Sequence, residues 1–417
     1  LKDLNHALTG TQVRQEVYAA RDTAASAVPY SVSQQRYLVR QVNGQASMLP
    51  LPVESISYRY ERERDDPACQ HSIHLRWDAY GSLTHGVTVY YARRKNPGDP
   101  SPYADPYQAQ WWQDTHDASQ QSYYLTESLA QFIHLDDQPQ RLRLRLPYRQ
   151  RTNALVLAKG RASNRLSSDR ISYETFIDQG SDGPLNPQAQ RTLGGLSVQH
   201  YHNVHTDLPY PEGTADFLAL MDHVETAELD DEALKAYEQL AQLPGAGAFD
   251  LTQALTEAHY HRAELFLPDS NSAVTLWSIK KNFTVYHPAH GFYRAYGVRP
   301  TESHGVTTLE HDRYACQIVS VKSPDGCRTT AQYDYRLQLP VLITDPQGTQ
   351  QQARYDAFGQ LQVNSYFGRE LGQPVGFNPL SDYRRPADDS PAYAIGHPQQ
   401  ALQQAASASF YTPFSWM

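Results

Sequence analysis

A period of 22 residues runs through Leu309 to Phe367 and limits what this chain can fold into. Asp312, Asp334 and Asp356 are spaced 22 and 22 apart. Tyr333 and Tyr355 precede the last two, and His311 stands in the equivalent earlier place. Pro324 and Pro346 keep the same spacing, as do Gly326 and Gly348. Self-similarity at a short fixed period marks a repeat architecture, in which each unit buries surface against its neighbours.

The period has a local mechanism. Ser323-Pro324-Asp325-Gly326 and Asp345-Pro346-Gln347-Gly348 carry Ser or Asp first, Pro second and Gly fourth, the preferences of a type I turn. Asp356-Ala357-Phe358-Gly359 supplies a second kind of turn, opened by Asp and closed by Gly. Between the turns Leu337, Leu339, Val341 and Ile343 alternate with other residues, and so do Cys327, Thr329, Ala331 and Tyr333. Alternation with period two predicts strands with two different faces. Each unit is then two short strands and two turns. If the first hairpin centres on Pro324 and Asp325, Cys316 falls opposite Tyr333 and Cys327 opposite Lys322.

A looser copy lies far upstream. Trp77-Asp78-Ala79-Tyr80-Gly81-Ser82-Leu83 matches Tyr355-Asp356-Ala357-Phe358-Gly359-Gln360-Leu361 in chemistry at every position, and Asp66-Pro67 stands near where Asp345-Pro346 would. Arg141 to Leu146 alternates strictly between Arg and Leu, as a strand with one wet, cationic face does. Ile171 to Phe176 reads as a strand in the same way. Asp230 and Asp250 are suited to cap helices over Asp231 to Leu240 and Leu251 to Ala258, and Ala215 to Val224 is a weaker helical candidate. The expected organisation is a β segment over 1–212, a helical insertion over 213–265 and a second β segment over 266–417, with the 22-residue repeats at 309–367. Gln399 to Ser409 suits either a helix or a loop.

Composition agrees with strands and narrows the partners. Tyrosine is unusually common, with 29 Tyr against 12 Phe and 5 Trp, and the chain is rich in Pro. Such a composition favours strands and turns. A net charge of −9 argues against a nucleic-acid surface, which carries a basic footprint. No stretch approaches the apolar length of a membrane-spanning helix, so no membrane insertion by this segment is expected. Cys69, Cys316 and Cys327 are too few for a disulfide framework and read as free thiols, small and buried. Leu1 opens the chain without the layout of a signal peptide, and both ends read as cuts within a longer protein.

Three groups of residues suggest chemistry. His200, His202 and His205, His259 and His261, and His287 and His290 have spacings seen at metal sites. They lack the further ligands such a site needs, and polar aromatic strand packing accounts for them more simply. Asp65-Asp66, Asp136-Asp137 and Asp230-Asp231 are paired carboxylates, but neighbours on a strand point to opposite faces. Solvated loops and a helix cap explain them. Trp111-Trp112 with Tyr107, Tyr123 and Tyr124 is the best small-ligand candidate, although core packing is the more economical reading. No catalytic, cofactor-binding or metal-binding residue is expected. The structural positions of the repeat are Asp78, Gly81, Asp312, Pro324, Gly326, Tyr333, Asp334, Pro346, Gly348, Tyr355, Asp356 and Gly359.

Tyr-Asp followed by Gly, together with Asp-Pro-x-Gly at this period, resembles the YD or RHS repeat. Three ordered blocks resemble the middle and C-terminal region of the B component of the bacterial Tc (toxin complex) insecticidal toxins. They are Pro29 to Arg40 with Ser57 to Glu61 and Asp66 to Gly81; Glu225 to Asp230; and Tyr286 to Tyr293. The resemblance implies a mainly β fold, a curved, spiralling antiparallel sheet that forms part of a hollow cocoon. It implies a secreted complex in which B and C components together enclose the toxic C-terminal segment of the C component. It also implies contact with the A component only indirectly, through a propeller absent from this chain. On that reading the chain is a wall without chemistry of its own. A YD-repeat adhesion or carbohydrate-binding module, and a glycan-active enzyme on a repeat scaffold, remain the alternatives.

Overall fold

The computed structural model describes residues 2–20, 27–42, 47–60, 64–138, 141–159, 171–177, 184–185, 189–229, 231–238, 250–263 and 276–412. Two compact units divide the chain, Leu1–Lys280 and Lys281–Met417. In the first unit helix α1 (Lys2–Ala7) precedes strands β1 (Arg14–Val17), β2 (Ser31–Gln41), β3 (Met48–Arg59), β4 (Ala68–Trp77) and β5 (Leu83–Tyr90). Helix α2 (Pro106–Asp114) leads to the long hairpin β6 (Ser122–Gln138) and β7 (Arg141–Ala158), and α3 (Tyr173–Ile177) precedes β8 (Thr192–Asn203). Strands β9 (Leu208–Pro209) and β10 (Met221–Leu229), helices α4 (Asp231–Glu238) and α5 (Leu251–Glu257), and β11 (His261–Ala263) follow. Strand β12 (Leu276–Tyr286) begins in this unit and ends in the next.

Sequence neighbours from β1 to β8 pair antiparallel, and β10 pairs with β8. The register aligns Ile73, Val87, Glu127 and Asn153 in one row across four strands. The adjacent row holds His71, Val89, Leu125 and Leu155. These residues therefore share a face, and its apolar members form the main core. Ile171, Phe176 and Leu185 close over that core. The strand expected over Ile171 to Phe176 is instead a short helix. The Ser172 amide donates to Thr175 Oγ1 at 3.1 Å, a capping interaction that starts the turn. The Tyr173 amide is taken by the Glu54 carboxylate of β3.

Other expectations shift for local reasons. Ala215 to Val224 is no helix: Asp216 Oδ1 accepts from the Leu218 and Ala219 amides in a turn, and β10 starts at Met221. Within 213–265, strand β10 thus precedes the helices α4 and α5. Asp250 caps α5, its carboxylate accepting from the Gln253 amide at 3.1 Å, whereas Asp230 and 239–249 lie outside the described residues. The Arg–Leu alternation forms the start of β7, but Arg145 adopts a left-handed φ of 64° where the register slips, and the alternation breaks there.

The second unit is a run of hairpins. Strands β13 (Ala295–Thr301), β14 (Thr307–His311), β15 (Ile318–Lys322), β16 (Arg328–Asp334), β17 (Leu339–Thr344), β18 (Gln350–Tyr355) and β19 (Leu361–Glu370) pair in sequence order. Strands β20 (Gln373–Gly376) and β21 (Ser407–Ala408) add to β19, and helices α6 (Pro391–Gly396) and α7 (Pro398–Leu402) lie between them in sequence. Gln399 to Ser409 is thus helix first and strand last. Val363, Leu380, Tyr383 and Ala405 form the small core under this end.

The turns explain the period. The Gly326 amide donates to the Ser323 carbonyl at 2.9 Å, and the Ser323 amide donates to the Cys327 carbonyl at 2.9 Å. Gly326 sits at φ 91°, a left-handed position that costs glycine little. The loop is a type I turn with one additional left-handed residue, and that residue moves the pairing by one. Cys327 consequently faces Ser323, and Lys322 faces Arg328. Cys316 and Cys327 are exposed free thiols, and only Cys69 is buried as expected.

Asp345 Oδ1 accepts from the amides of Gln347 and Thr349 at 2.9 and 2.8 Å. Asp345→Ala should remove both bonds and cost about 1–2 kcal/mol. An unmoved urea-unfolding midpoint would contradict the bracing role. Gly81→Ala should cost at least as much, because φ is 78° and a Cβ there would lie 2.5 Å from Leu49 Cδ2. The same denaturation measurement checks it.

Candidate functional site

The repeat positions act on the backbone. Asp356 Oδ1 accepts from the Phe358 and Gln360 amides at 2.8 and 2.9 Å. Asp78 Oδ1 does the same for Tyr80 and Ser82 at 2.9 and 2.8 Å. The flanking pairs also correspond, Trp77 opposite Leu83 and Tyr355 opposite Leu361. The distant copy therefore reproduces both bracket and register. Asp312 accepts from the Cys316 and Gln317 amides, and Asp334 from the Arg336 amide. Their loops are one residue longer than the one at Asp356. The left-handed residue there is Ala315 or Gln338 rather than glycine.

The repeat tyrosines have a role that spacing alone did not reveal. Tyr333 donates its hydroxyl to the Ile318 carbonyl at 3.0 Å, and Tyr355 donates to the Pro340 carbonyl at 2.9 Å. The two acceptors are themselves one period apart. Backbone pairing of β15 with β16 covers only Ser320–Lys322, and that of β17 with β18 only Leu342–Thr344. Each tyrosine thus satisfies a carbonyl where the hairpin has opened and no ladder partner remains.

The carboxylates contradict the solvated-loop expectation at two places: Asp136 and Asp137, though exposed, lie within strand β6, where Asp136 accepts from the Tyr80 hydroxyl, and Asp66 is enclosed. Asp66 is 1% exposed and forms no turn. Its Oδ2 accepts from Arg93 Nε at 2.9 Å and its Oδ1 from the Arg94 amide at 2.6 Å. Two further carboxylates in the sheet were not anticipated, Glu127, which is buried, and Glu54, which is half-buried. Glu127 accepts from His85 Nε2 at 3.1 Å, Asn153 Nδ2 at 2.8 Å and Arg191 Nε at 2.8 Å. Burial alone would raise it, but these donors outweigh burial and hold it at about 2. Glu54 joins Arg36 and the Tyr173 amide, and there burial prevails and raises the carboxyl. A signal for Glu127 existed: it lies in phase with Tyr123, Leu125 and Leu129, a charge on the apolar face.

The histidines gather in part. His200 and His223 stack with centroids 4.4 Å apart and planes 9° from parallel. His202 and His223 both meet Asp222, at 3.1 and 2.6 Å. His261 meets Glu225 at 2.9 Å, and Ser278 Oγ donates to the same oxygen at 2.6 Å. Among the described residues no group of three or more His, Cys, Asp or Glu side chains is disposed to hold a metal ion. His205 and His259 sit in exposed turns apart from the cluster, and His287 packs on Tyr296 in the second unit. The aromatic group divides. Trp112 and Tyr123 are core, whereas Trp111 is 71%, Tyr107 81% and Tyr124 40% exposed, against the core expectation for those three.

Burial sets the acid response. His71, hydrogen-bonded to Tyr91 at 2.9 Å, is lowered by desolvation to about 4. A base depressed from about 6.5 contributes stability above that pH and loses it as pH falls towards 4. Glu127 contributes above about 4.5 and loses stability as pH falls towards 2. The raised Glu54 works in the opposite sense. His71→Gln should flatten the stability curve between pH 6.5 and 4. Glu127→Gln should flatten it below about 4.5, each by on the order of 3 kcal/mol at most. Denaturant titrations across pH check both, and parallel curves for variant and parent would contradict the assignments.

Residues 3–146 match the family model described as the insecticide toxin TcdB middle/C-terminal region. No curated protein matches the chain. Among solved structures, TcdB2–TccC3–Cdc42 is similar over 94% of this chain at 26% identity and a TM-score of 0.72. TcdB2–TccC3–TEV is similar over 99% at 26% identity and 0.73. The Tc holotoxin pore of Photorhabdus luminescens, carrying a TccC3 mutation, is similar over 99% at 25% identity and 0.73. The matched region is only 18–19% of those chains. With a TcdB middle/C-terminal match over 3–146 and the antiparallel fold of the TcdB2–TccC3 structures along nearly all its length, the chain is similar to the middle/C-terminal region of Tc-toxin B components.

Proposed function

We propose that this chain is a stretch of the wall of an RHS-repeat cocoon. In this reading B and C components together form the cocoon, which encloses the toxic C-terminal segment of the C component until delivery. The observation that carries the reading is the fold likeness to TcdB2 in complex with TccC3 along 94–99% of this chain. The local physics supports it. A hairpin that closes on its own aspartate and pairs only with sequence neighbours can be extended without a central core. A sheet of such hairpins suits a partition. The carboxylate clusters within the sheet support it too, because Asp66, Glu54 and Glu127 have their oxygens taken by arginine, histidine, asparagine or backbone donors. Donors spent in this way brace strands, and the reading assigns the chain no reaction of its own.

The partners follow from the same reading. The C component completes the shell, and the A component is reached through a propeller in another part of the longer protein. The complex acts outside the producing cell. No described helix is long and apolar enough to cross a membrane.

The test uses the full-length B component. Co-produced with the C component, it should protect the C component's C-terminal segment from added protease. Removing the stretch equivalent to residues 276–412 should open the wall and render that segment digestible. Retained protection in a correctly assembled complex lacking this stretch would overturn the proposal.

A further inference from the structure

The segment between β5 and β6 holds the exposed aromatic residues and a pocket that the wall reading leaves without a role. Asp105 caps α2, its carboxylate accepting from the Gln108 amide at 3.0 Å. Trp112 pins the helix to the unit: it is buried and stacks on His116 at 3.9 Å. Tyr107 and Trp111 are four apart, so they share the opposite, outward side of the helix. Beside Trp111 opens a cavity of about 480 Å³, whose lining includes Arg93, Tyr103, Gln108, Trp112, His116 and Gln120.

Two of the lining side chains, His116 and Gln120, each carry a buried polar atom without a hydrogen-bond partner, Nε2 and Oε1. His116 Nδ1 lies 2.6 Å from the Trp112 carbonyl, which only accepts, so the ring proton sits on Nδ1. With Nδ1 as the donor, Nε2 is the ring nitrogen open to accept, and the glutamine oxygen accepts too. Asp66 Oδ2 is 3.6 Å from Nε2 and is occupied by Arg93. Unsatisfied buried acceptors cost free energy until a donor arrives. A ligand for this cavity must therefore bring hydroxyl or amide hydrogens. Carboxylates and phosphates, which only accept, do not meet that demand.

We propose that this cavity is a carbohydrate-binding site, in which a pyranose ring lays its C–H face on Trp111 and directs hydroxyls to Gln120 Oε1 and His116 Nε2. The sugar offers the two features that the site asks for, a flat apolar face and an edge of donors. Tyr107 and Tyr103 extend the platform to a neighbouring residue of an oligosaccharide.

The experiment is calorimetry of the full chain against chitotetraose, cellotetraose and maltotetraose. At least one should bind at millimolar concentration or below. Trp111→Ala should weaken that binding about tenfold, the loss expected for one stacking contact of roughly 1.4 kcal/mol. Gln120→Leu, which removes an acceptor and keeps the shape, should weaken it severalfold. Because Trp111 is exposed, its variant should keep the circular dichroism and unfolding midpoint of the parent. Failure of all three oligosaccharides to bind the folded chain would overturn the proposal, as would binding unchanged by Trp111→Ala.

Discussion

Three short loops of the sheet each close on a single carboxylate oxygen. At Asp78, Asp345 and Asp356 that oxygen takes two backbone amides that the turn would otherwise leave unpaired. The consequence is geometric. The bracket fixes which residue of one strand faces which residue of the next, and every side chain on the hairpin inherits its face from that choice. The left-handed glycine completes the turn, and the tyrosine hydroxyl covers the carbonyl at the open end of the pairing. Register is therefore decided within a few residues, before any distant contact is made.

The interior follows a different logic. In the first unit the same face that holds Ile73, Val87 and Leu125 also holds His71, His85, Glu127 and Asn153. Apolar packing gives way along each strand to ionic and polar pairing. A buried carboxylate held by three donors is specific about its neighbours, because misalignment by one residue would leave a charge unpaired in a dry environment. Glu127 links β5, β6, β7 and Arg191 just before β8 through one side chain. Such groups add positional definition to a sheet whose apolar contacts alone would tolerate sliding.

Much of the second unit was legible in the sequence because its determinants are local. Asp, Pro and Gly at fixed offsets announce the turns, and alternation announces the strands between them. The register error at Cys327 arose where the sequence was most explicit: the glycine was read as the last residue of a turn, but its left-handed backbone inserts it as an additional residue. The helix over Tyr173–Ile177 was hidden because Ile171, Tyr173 and Thr175 fall in a period of two that also suits a strand, and the deciding bond comes from Glu54, far away in the chain. Asp66 was hidden for the same reason, since its arginine lies 27 residues on. The YD signature gave the family resemblance, but only coordinates reveal what its tyrosine does.

A loop that sets its own register makes the length of the array adjustable in whole units. Inserting or deleting 22 residues at 312, 334 or 356 returns the same strand phase and the same pair of loops, so neighbouring hairpins need not readjust. Changes of any other size would invert the two faces or sever a bracket. Tandem duplication is thus a route by which such a sheet can grow wider while each segment already present keeps its place.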